Sequence, residues 1–586
     1  MTHRARALLL LLVLIGFFLR LYRLDAQSLW YDEGVTAVIA QRDLAALTQW
    51  TANDIQPPLY YYLVAGWGRL AGWSEWALRF PSAWLGVLAI PLMAVLARRL
   101  LRPATVGAWA GLLAALLAAV HPLLVYYGQE ARMYTLLLLL GILAAYLLVR
   151  TADHASPGWR LWGAYVAVAA AALYTHYFAA FLLVGLGCAW ILDVWLARKA
   201  QEDGAGDKRR GATARLLPFF AANAAVLLLY LPWLANLVTR LRVDRSYWTG
   251  TLKLHEALLD VALSFTSGAT MPERIALWLL LGYALVTLAA LYGVWRAWPH
   301  TRRLILYAAF WLLAPLLAVL LLAFNVPKFN ARYVMLALPP LLLLWGGGLA
   351  ALAGRRLGSV QPATGAVLRG PAAPALAVLA AVLLLGGGLW ANYNWFFNPA
   401  FDKDHWRQIT AFLRTRVAED EQVVLVSGHA WPVWQYYAPD IPVVRLPELE
   451  ILDVDAVLDF AASGPPLIAS FDEATGKRGA WLVNWQDEVV DPNDVAPVQL
   501  ELGGREKGQT ATFSGLMLRR FGGIRATRFV TAPPVEHVLD VPFGAEVILR
   551  GYKVLNNGDL LLFWERVQGS TPGGAASGRD LHMALT

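Results

Sequence analysis

Two adjacent carboxylates stand just outside a long apolar run. Ser28-Leu29-Trp30-Tyr31-Asp32-Glu33 follows a stretch, about Ala7 to Leu19, that is almost entirely apolar. Ionised acids at a membrane surface are costly unless they meet a cation, a substrate or water. Trp30 and Tyr31 are amphipathic aromatics of the kind that settle at headgroup level, and they place the pair at that depth. A carboxylate held there can take a proton from a hydroxyl whose reaction partner is presented by a lipid. Adjacent side chains diverge on a helix and on a strand, so at most one of Asp32 and Glu33 faces a given substrate atom. Both are candidate catalytic residues. In isolation the pair reads more readily as the start of a solvated loop; the rest of the chain reverses that.

Three more segments carry polar residues that a purely structural membrane protein has little use for. In Asp54-Ile55-Gln56-Pro57-Pro58-Leu59-Tyr60-Tyr61-Tyr62 the prolines break the chain and start the next helix, which fixes the approach of Asp54. Tyr126-Tyr127-Gly128-Gln129-Glu130-Ala131-Arg132-Met133-Tyr134 puts an acid, a cation and a phenol at the end of an apolar run, where Glu130 and Arg132 could also be an ion pair capping a helix. Lys328-Phe329-Asn330-Ala331-Arg332-Tyr333 sets cations on the side opposite to the main basic loops, which suggests that they meet an anion rather than snorkel. A lipid-borne phosphate is the natural candidate, because a guanidinium can bind it through two hydrogen bonds. His176, in Tyr174-Thr175-His176-Tyr177, lies at another turn on that side. Asp54 and His176 are candidates for an acceptor contact or a metal ligand, but no tight His/Asp/Glu cluster requires a divalent metal. Together these groups suit attack by an acceptor hydroxyl on the anomeric carbon of a sugar attached through phosphate to a polyprenyl lipid. One acid would remove the proton and the cations would stabilise the departing phosphate.

The elements that must position these groups are membrane helices. Of 586 residues, 58% are hydrophobic and only 15% charged, and up to about Trp390 the sequence is a series of apolar runs near the length that crosses a bilayer. The pattern predicts about eleven spans, at 7–23, 82–100, 104–125, 133–149, 159–175, 177–196, 216–238, 275–294, 304–324, 332–352 and 372–391. The first is read as a span rather than a signal peptide, because Phe17-Phe18-Leu19 runs into Arg20 and Arg23 with no small-residue cleavage site. Short basic loops (Arg98-Arg99 and Arg102, Arg150 and Arg160, Lys208-Arg209-Arg210, Arg302-Arg303, Arg355-Arg356) alternate with loops that hold the acids and aromatics. By the positive-inside rule the basic set and the N-terminus are cytoplasmic and the C-terminal part is outside. The formal charge of +8 is mostly this loop bias and does not argue for nucleic acid. The single cysteine, Cys188, excludes a disulfide framework. Three domains are expected: 1–391 in the membrane, 392–522 as an extracytoplasmic α/β domain, and 523–586 as a β-rich end. Asp404 to Val417 and Trp431–Tyr437 read as helices, and Gln422–Ser427 and Ala480–Trp485 as strands. Tyr552–Leu555 and Leu560–Trp564 flank Asn556-Asn557-Gly558-Asp559 as a hairpin.

At its external motifs the chain resembles the GT-C glycosyltransferases, specifically the group with protein O-mannosyltransferases and lipid A aminoarabinose transferases. Leu29-Trp30-Tyr31-Asp32-Glu33, Gln56-Pro57-Pro58-Leu59-Tyr60-Tyr61, Gln129-Glu130-Ala131-Arg132-Met133-Tyr134 and Ala331-Arg332-Tyr333 look like that group's successive motifs, in order. Asp404-His405-Trp406-Arg407 looks like the start of the external domain in bacterial members. The resemblance, over about residues 1–490, implies an inverting transferase in a bacterial cytoplasmic membrane that uses a polyprenyl-phosphate sugar, with Asp32 as the first-loop acid. It implies that Glu130, Arg132 and Arg332 line the donor site, with Tyr134, Lys328 and Tyr333 beside them. The acceptor would be a glycan, lipid or protein. Asp54 and Gln56 stand where relatives carry a Glu-Lys pair or a histidine, so a phosphate contact and a metal ligand do not carry over.

Competing readings are a transporter or flippase of lipid-linked sugars, an oligosaccharide ligase, and a glycan sensor anchored by its spans. The sequence shows no repeat of the span pattern and no paired broken helices, which a transporter would favour. Its motifs lie in the membrane part, where a sensor would not need them.

Overall fold

The structure is a computed structural model. It describes residues 2–566 apart from 55, 102–103, 155, 203–212, 244–251, 299, 326–328, 354–371, 454–455, 509–510, 545–546, 556–557 and 559. The chain divides into two compact units, Met1–Arg407 with Pro432–Tyr437, and Gln408–Trp431 with Ala438–Thr586.

The first unit is helical: α1 (His3–Leu21), α2 (Tyr31–Ala40), α3 (Leu44–Ala52), α4 (Leu59–Ala71), α5 (Glu75–Leu100), α6 (Ala104–Val120), α7 (Pro122–Gly128), α8 (Tyr134–Asp153), α9 (Trp159–Leu173), α10 (Ala179–Glu202), α11 (Thr213–Val243), α12 (Leu254–Ser267), α13 (Glu273–Arg296), α14 (Arg302–Asn325), a 3-10 turn (Ala331–Ala337) running into α15 (Leu338–Ala353), and α16 (Ala372–Phe397). Among the described residues eight helices are long and apolar enough to cross a membrane, and α6 with α7, bent by 54°, would make nine. The other two expected spans fall on α1, which carries Arg4, Arg6 and Arg20, and on α9, which has only 15 residues. The bend follows from Pro122 at the first turn of α7, where a missing N–H costs nothing and a new helix starts. Arg20 is buried on α1 and caps α6: it donates to Ala119 O at 2.9 Å and Ala118 O at 2.9 Å, carbonyls that have no intrahelical partner.

The second unit holds a mixed sheet in the order β2-β1-β3-β6-β4, with β5 paired to β6. The strands are β1 (Glu421–Val426), β2 (Val443–Leu446), β3 (Gly479–Asn484), β4 (Arg505–Glu506), β5 (Ala511–Phe513) and β6 (Leu516–Gly522). β1 runs parallel to β2 and β3, and β6 is antiparallel to β3. Val424, Val426, Leu482, Phe471, Leu500 and Phe521 form its core. A three-stranded antiparallel sheet follows, β7 (His537–Phe543), β8 (Val547–Val554) and β9 (Leu560–Arg566), in which β8 and β9 are the expected hairpin. Residues 569–578 and most of the hairpin turn lie outside the described residues.

Candidate active site

The chain enters α2 through Trp30, and the Glu33 carboxylate turns back to accept from the Trp30 N–H at 3.5 Å, one half of a capping box at the helix start. Both acids therefore sit in the first turn, where the helix dipole favours negative charge. Their surroundings then diverge completely.

Glu33 is fully buried. Arg79 of α5 donates to it twice, from Nε at 2.7 Å and Nη2 at 2.7 Å, Ala131 N–H donates at 2.9 Å and Lys403 Nζ at 3.0 Å. Arg79 uses its remaining donors on the carbonyls of Leu24 (2.9 Å), Gln27 (2.8 Å) and Ser28 (2.9 Å), so one guanidinium fastens the whole loop to α5. Burial alone would push the Glu33 carboxyl up, but Arg79 and Lys403 overcome it and hold the group at about 2. Lys403 Nζ also lies 3.0 Å from Glu130 Oε1. Burial raises the Glu130 carboxyl above its ordinary range, against the pull of Lys403. The ion pair within Glu130-Ala131-Arg132 that the sequence allowed does not form: Glu130 pairs with Lys403, and Arg132 with Asp32.

Asp32 keeps 18% of its side chain exposed. Its Oδ2 lies 3.6 Å from Arg132 Nη2 and 3.5 Å from Arg332 Nη1, too far for direct hydrogen bonds. Arg132 Nη1 donates instead to the Asp32 carbonyl at 3.3 Å. Arg332 stands over the rings of Trp30 (5.3 Å) and Tyr333 (5.5 Å). Among the described residues Arg132 Nε, Arg332 Nε and Trp30 Nε1 are buried without a hydrogen-bond partner. Two guanidinium groups thus share one carboxylate and keep donors in reserve. Each is held from behind. Ser82 Oγ donates to the Arg132 carbonyl at 2.9 Å, and Asp260 Oδ2 on α12 accepts from Ala331 N–H at 3.0 Å to start the turn that carries Arg332.

The remaining expected residues border this centre. The ring of Tyr134 packs 5.0 Å from Tyr127 and 6.4 Å from His176, and Tyr333 packs 6.1 Å from Phe178. His176 Nδ1 accepts from Phe178 N–H at 3.1 Å, and burial, with Arg132 and Arg332, pushes the ring down to about 3, so it is neutral. Asp54, just beyond α3, acts electrostatically on Tyr31 and Tyr61. Lys328 lies outside the described residues. Among the described residues no three His, Cys, Asp or Glu side chains come together as a metal site.

Three contributors were not singled out by the sequence. Arg79 carried a usable signal, a charge in the apolar approach to the expected span at 82–100. Lys403 had only its place beside Asp404-His405-Trp406-Arg407. Tyr437, at the end of a short helix (Trp431–Tyr437), accepts from Leu29 N–H at 2.6 Å and donates to Glu75.

The helical unit and the sheet-containing C-terminal unit have the GT-C fold. Residues 55–203, a quarter of the chain, match the family model described as dolichyl-phosphate-mannose-protein mannosyltransferase. Among solved structures, ArnT from Cupriavidus metallidurans in the apo state is similar at 14% identity and a TM-score of 0.51, covering 88% of this chain and 97% of that one. The same protein bound to undecaprenyl phosphate gives 15% identity and 0.49, covering 89% and 98%. AglB from Archaeoglobus fulgidus, in complex with an inhibitory peptide and a dolichol-phosphate, gives 12% identity and 0.48, covering 88% and 74%. No curated protein sequence matches the chain.

Proposed function

We propose that this chain is an inverting glycosyltransferase that moves a sugar from a polyprenyl-phosphate donor to an acceptor hydroxyl at the outer face of the membrane. The observation that carries the reading is Asp32, a part-exposed carboxylate between two arginines that retain unused buried donors. The partial match to a family model named for a lipid-phosphate mannose donor supports the same substrate class.

In this reading the acceptor O–H gives its proton to the Asp32 carboxylate while its oxygen attacks the anomeric carbon from the side opposite the phosphate. The bond between that carbon and the phosphate oxygen breaks, and the electron pair leaves with the polyprenyl phosphate. Arg132 and Arg332 turn their spare donors to the phosphate as its charge grows. Trp30, Tyr134 and Tyr333 wall the donor side, with Lys328 a further cation for the phosphate. Asp54 and His176 border the acceptor side. Glu33 and Glu130, grouped by sequence with the catalytic and donor residues, act as positioning groups, because both are held in buried ion pairs. The acceptor is a glycan, a lipid or a protein.

The test is mass spectrometry of envelope glycans and glycoproteins from cells carrying the wild-type gene, no gene, or variants. Asp32→Asn should remove the modification, with turnover falling about 10²–10⁴-fold, while folded protein stays in the membrane. Arg132→Gln and Arg332→Gln should weaken binding of a polyprenyl phosphate, and lysine should restore it only in part, since a point charge cannot make the two-pronged contact. Near-normal product from the Asp32→Asn variant would refute the assignment. A reporter fused after Asp404 and active only in the cytoplasm would overturn the outer-face part.

A further inference from the structure

We infer that Lys403, which follows the last membrane helix, is a positioning residue of the transfer site. The inference rests on the transfer reading and deepens it. Lys403 is 8% exposed, and its ammonium lies 3.0 Å from Glu33 and 3.0 Å from Glu130. These two acids come from separate external motifs, one opening α2 and the other lying between α7 and α8. Without a cation between them, two buried like charges would face each other, which a low-dielectric surrounding makes expensive. Lys403 is also within 6.0 Å of the Trp30 ring centroid, the indole over which Arg332 stands at 5.3 Å. Tyr126 and Trp395 close the cage at 5.7 Å each. Its backbone is anchored as well, with N–H donating to Gln27 Oε1 at 2.8 Å. One side chain therefore sets the spacing of the Asp32 helix start, the Glu130 turn and the aromatic platform beneath Arg332. Lys403 does not touch the donor; it acts through Trp30 and the two acids.

The probe is undecaprenyl phosphate binding to purified full-length protein. Lys403→Met should weaken it roughly tenfold in the molecules that remain folded, and Lys403→Arg should keep most of it. Adding Glu130→Gln to Lys403→Met should recover part of the loss, because it removes the stranded acid; a lysine with a merely space-filling role would show no such rescue. Binding by Lys403→Met within about twofold of wild type, or no gain from Glu130→Gln, would overturn the inference. Wild-type protein that does not bind the probe overturns the transfer reading instead. The network is then judged by unfolding midpoints in detergent, which must fall in the order wild type and Lys403→Arg, then the double variant, then Lys403→Met.

Discussion

Substituting the two neighbouring acids one at a time should give opposite kinds of damage. Glu33→Gln preserves shape and removes charge. The carboxylate it replaces accepts two bonds from Arg79, one from Lys403 and one from Ala131 N–H. The amide keeps one oxygen for these donors, and its NH2 must face either Arg79 Nε and Ala131 N–H or Arg79 Nη2 and Lys403 Nζ, donor against donor. Removing one partner of a buried ion pair costs about 3–5 kcal/mol. Lys403 keeps Glu130 and Arg79 keeps three carbonyls, so the lower end, about 3 kcal/mol, is expected here. Asp32→Asn removes only ion pairs at 3.5 and 3.6 Å on a part-exposed side chain. These contacts are longer than the Glu33 bonds and lack direct hydrogen bonds, so a smaller loss than that of Glu33→Gln is expected. Glu33→Gln should therefore unfold at a much lower denaturant concentration in mixed micelles, while Asp32→Asn loses less stability and fails in transfer. The acid side of the profile has a definite sign. With Glu33 held at about 2 against an ordinary 4.5, its stabilisation is full above 4.5 and disappears as pH falls through 2. The gap between wild type and Glu33→Gln should persist from pH 8 to about 5 and close near 2. A double-mutant cycle with Arg79→Met assigns the loss to that pair. A Glu33→Gln cost under about 1 kcal/mol, or equal destabilisation by Asp32→Asn, would refute the division of labour.

Two further outcomes follow from the packing. Asp491 accepts from Val495 N–H at 2.7 Å and Ala496 N–H at 2.9 Å at the start of a helix (Val495–Gly503), and burial pushes it up to about 7 from an ordinary 3.8. The folded state thus favours its neutral form: this contribution is full below 3.8 and lost as pH rises through 7. Hydrogen exchange over 491–503 in the full chain should quicken across that window beyond the chemical pH trend, and Asp491→Asn should remove the excess; an unchanged profile in the variant would rule it out. Gly34→Ala on α2 would bring a Cβ to 2.7 Å from Val433 Cβ and 2.8 Å from Val433 Cα. Because the second atom is backbone, the clash cannot relax by a rotamer change, and a loss of about 1–3 kcal/mol is expected from the unfolding midpoint. An unaltered midpoint would show that Val433 yields.

The helices were legible because apolar run length reports directly on spans. The run at 104–125 was read as one span, since hydropathy does not register a proline that ends one helix and begins another; the structure bends there, between α6 and α7. The strands Gln422–Ser427 and Ala480–Trp485 were legible as short apolar runs that the sheet buries on both faces. The acids and arginines of the site were legible as charges at span ends. Their pairing was not, because ion pairs form between residues distant in sequence. Arg79 and Glu33 are 46 positions apart, and Lys403 and Glu33 are 370.

The division between Asp32 and Glu33 shows why that limit matters for function. Neighbours on a helix point about 100° apart. With α2 started at Trp30, one side chain is turned to the Arg79 and Lys403 side, where every Arg79 donor is satisfied and the charge is locked. The other is turned to Arg132 and Arg332, which approach from two different elements and do not close into direct bonds. A base must be held in place and still be able to accept a proton. In the proposed reading, fixing the helix through Glu33 leaves Asp32 free of that task, so the buried acid makes the part-exposed one usable. Sequence adjacency is then a requirement of the arrangement: moving Asp32 by one position would turn it away from both arginines.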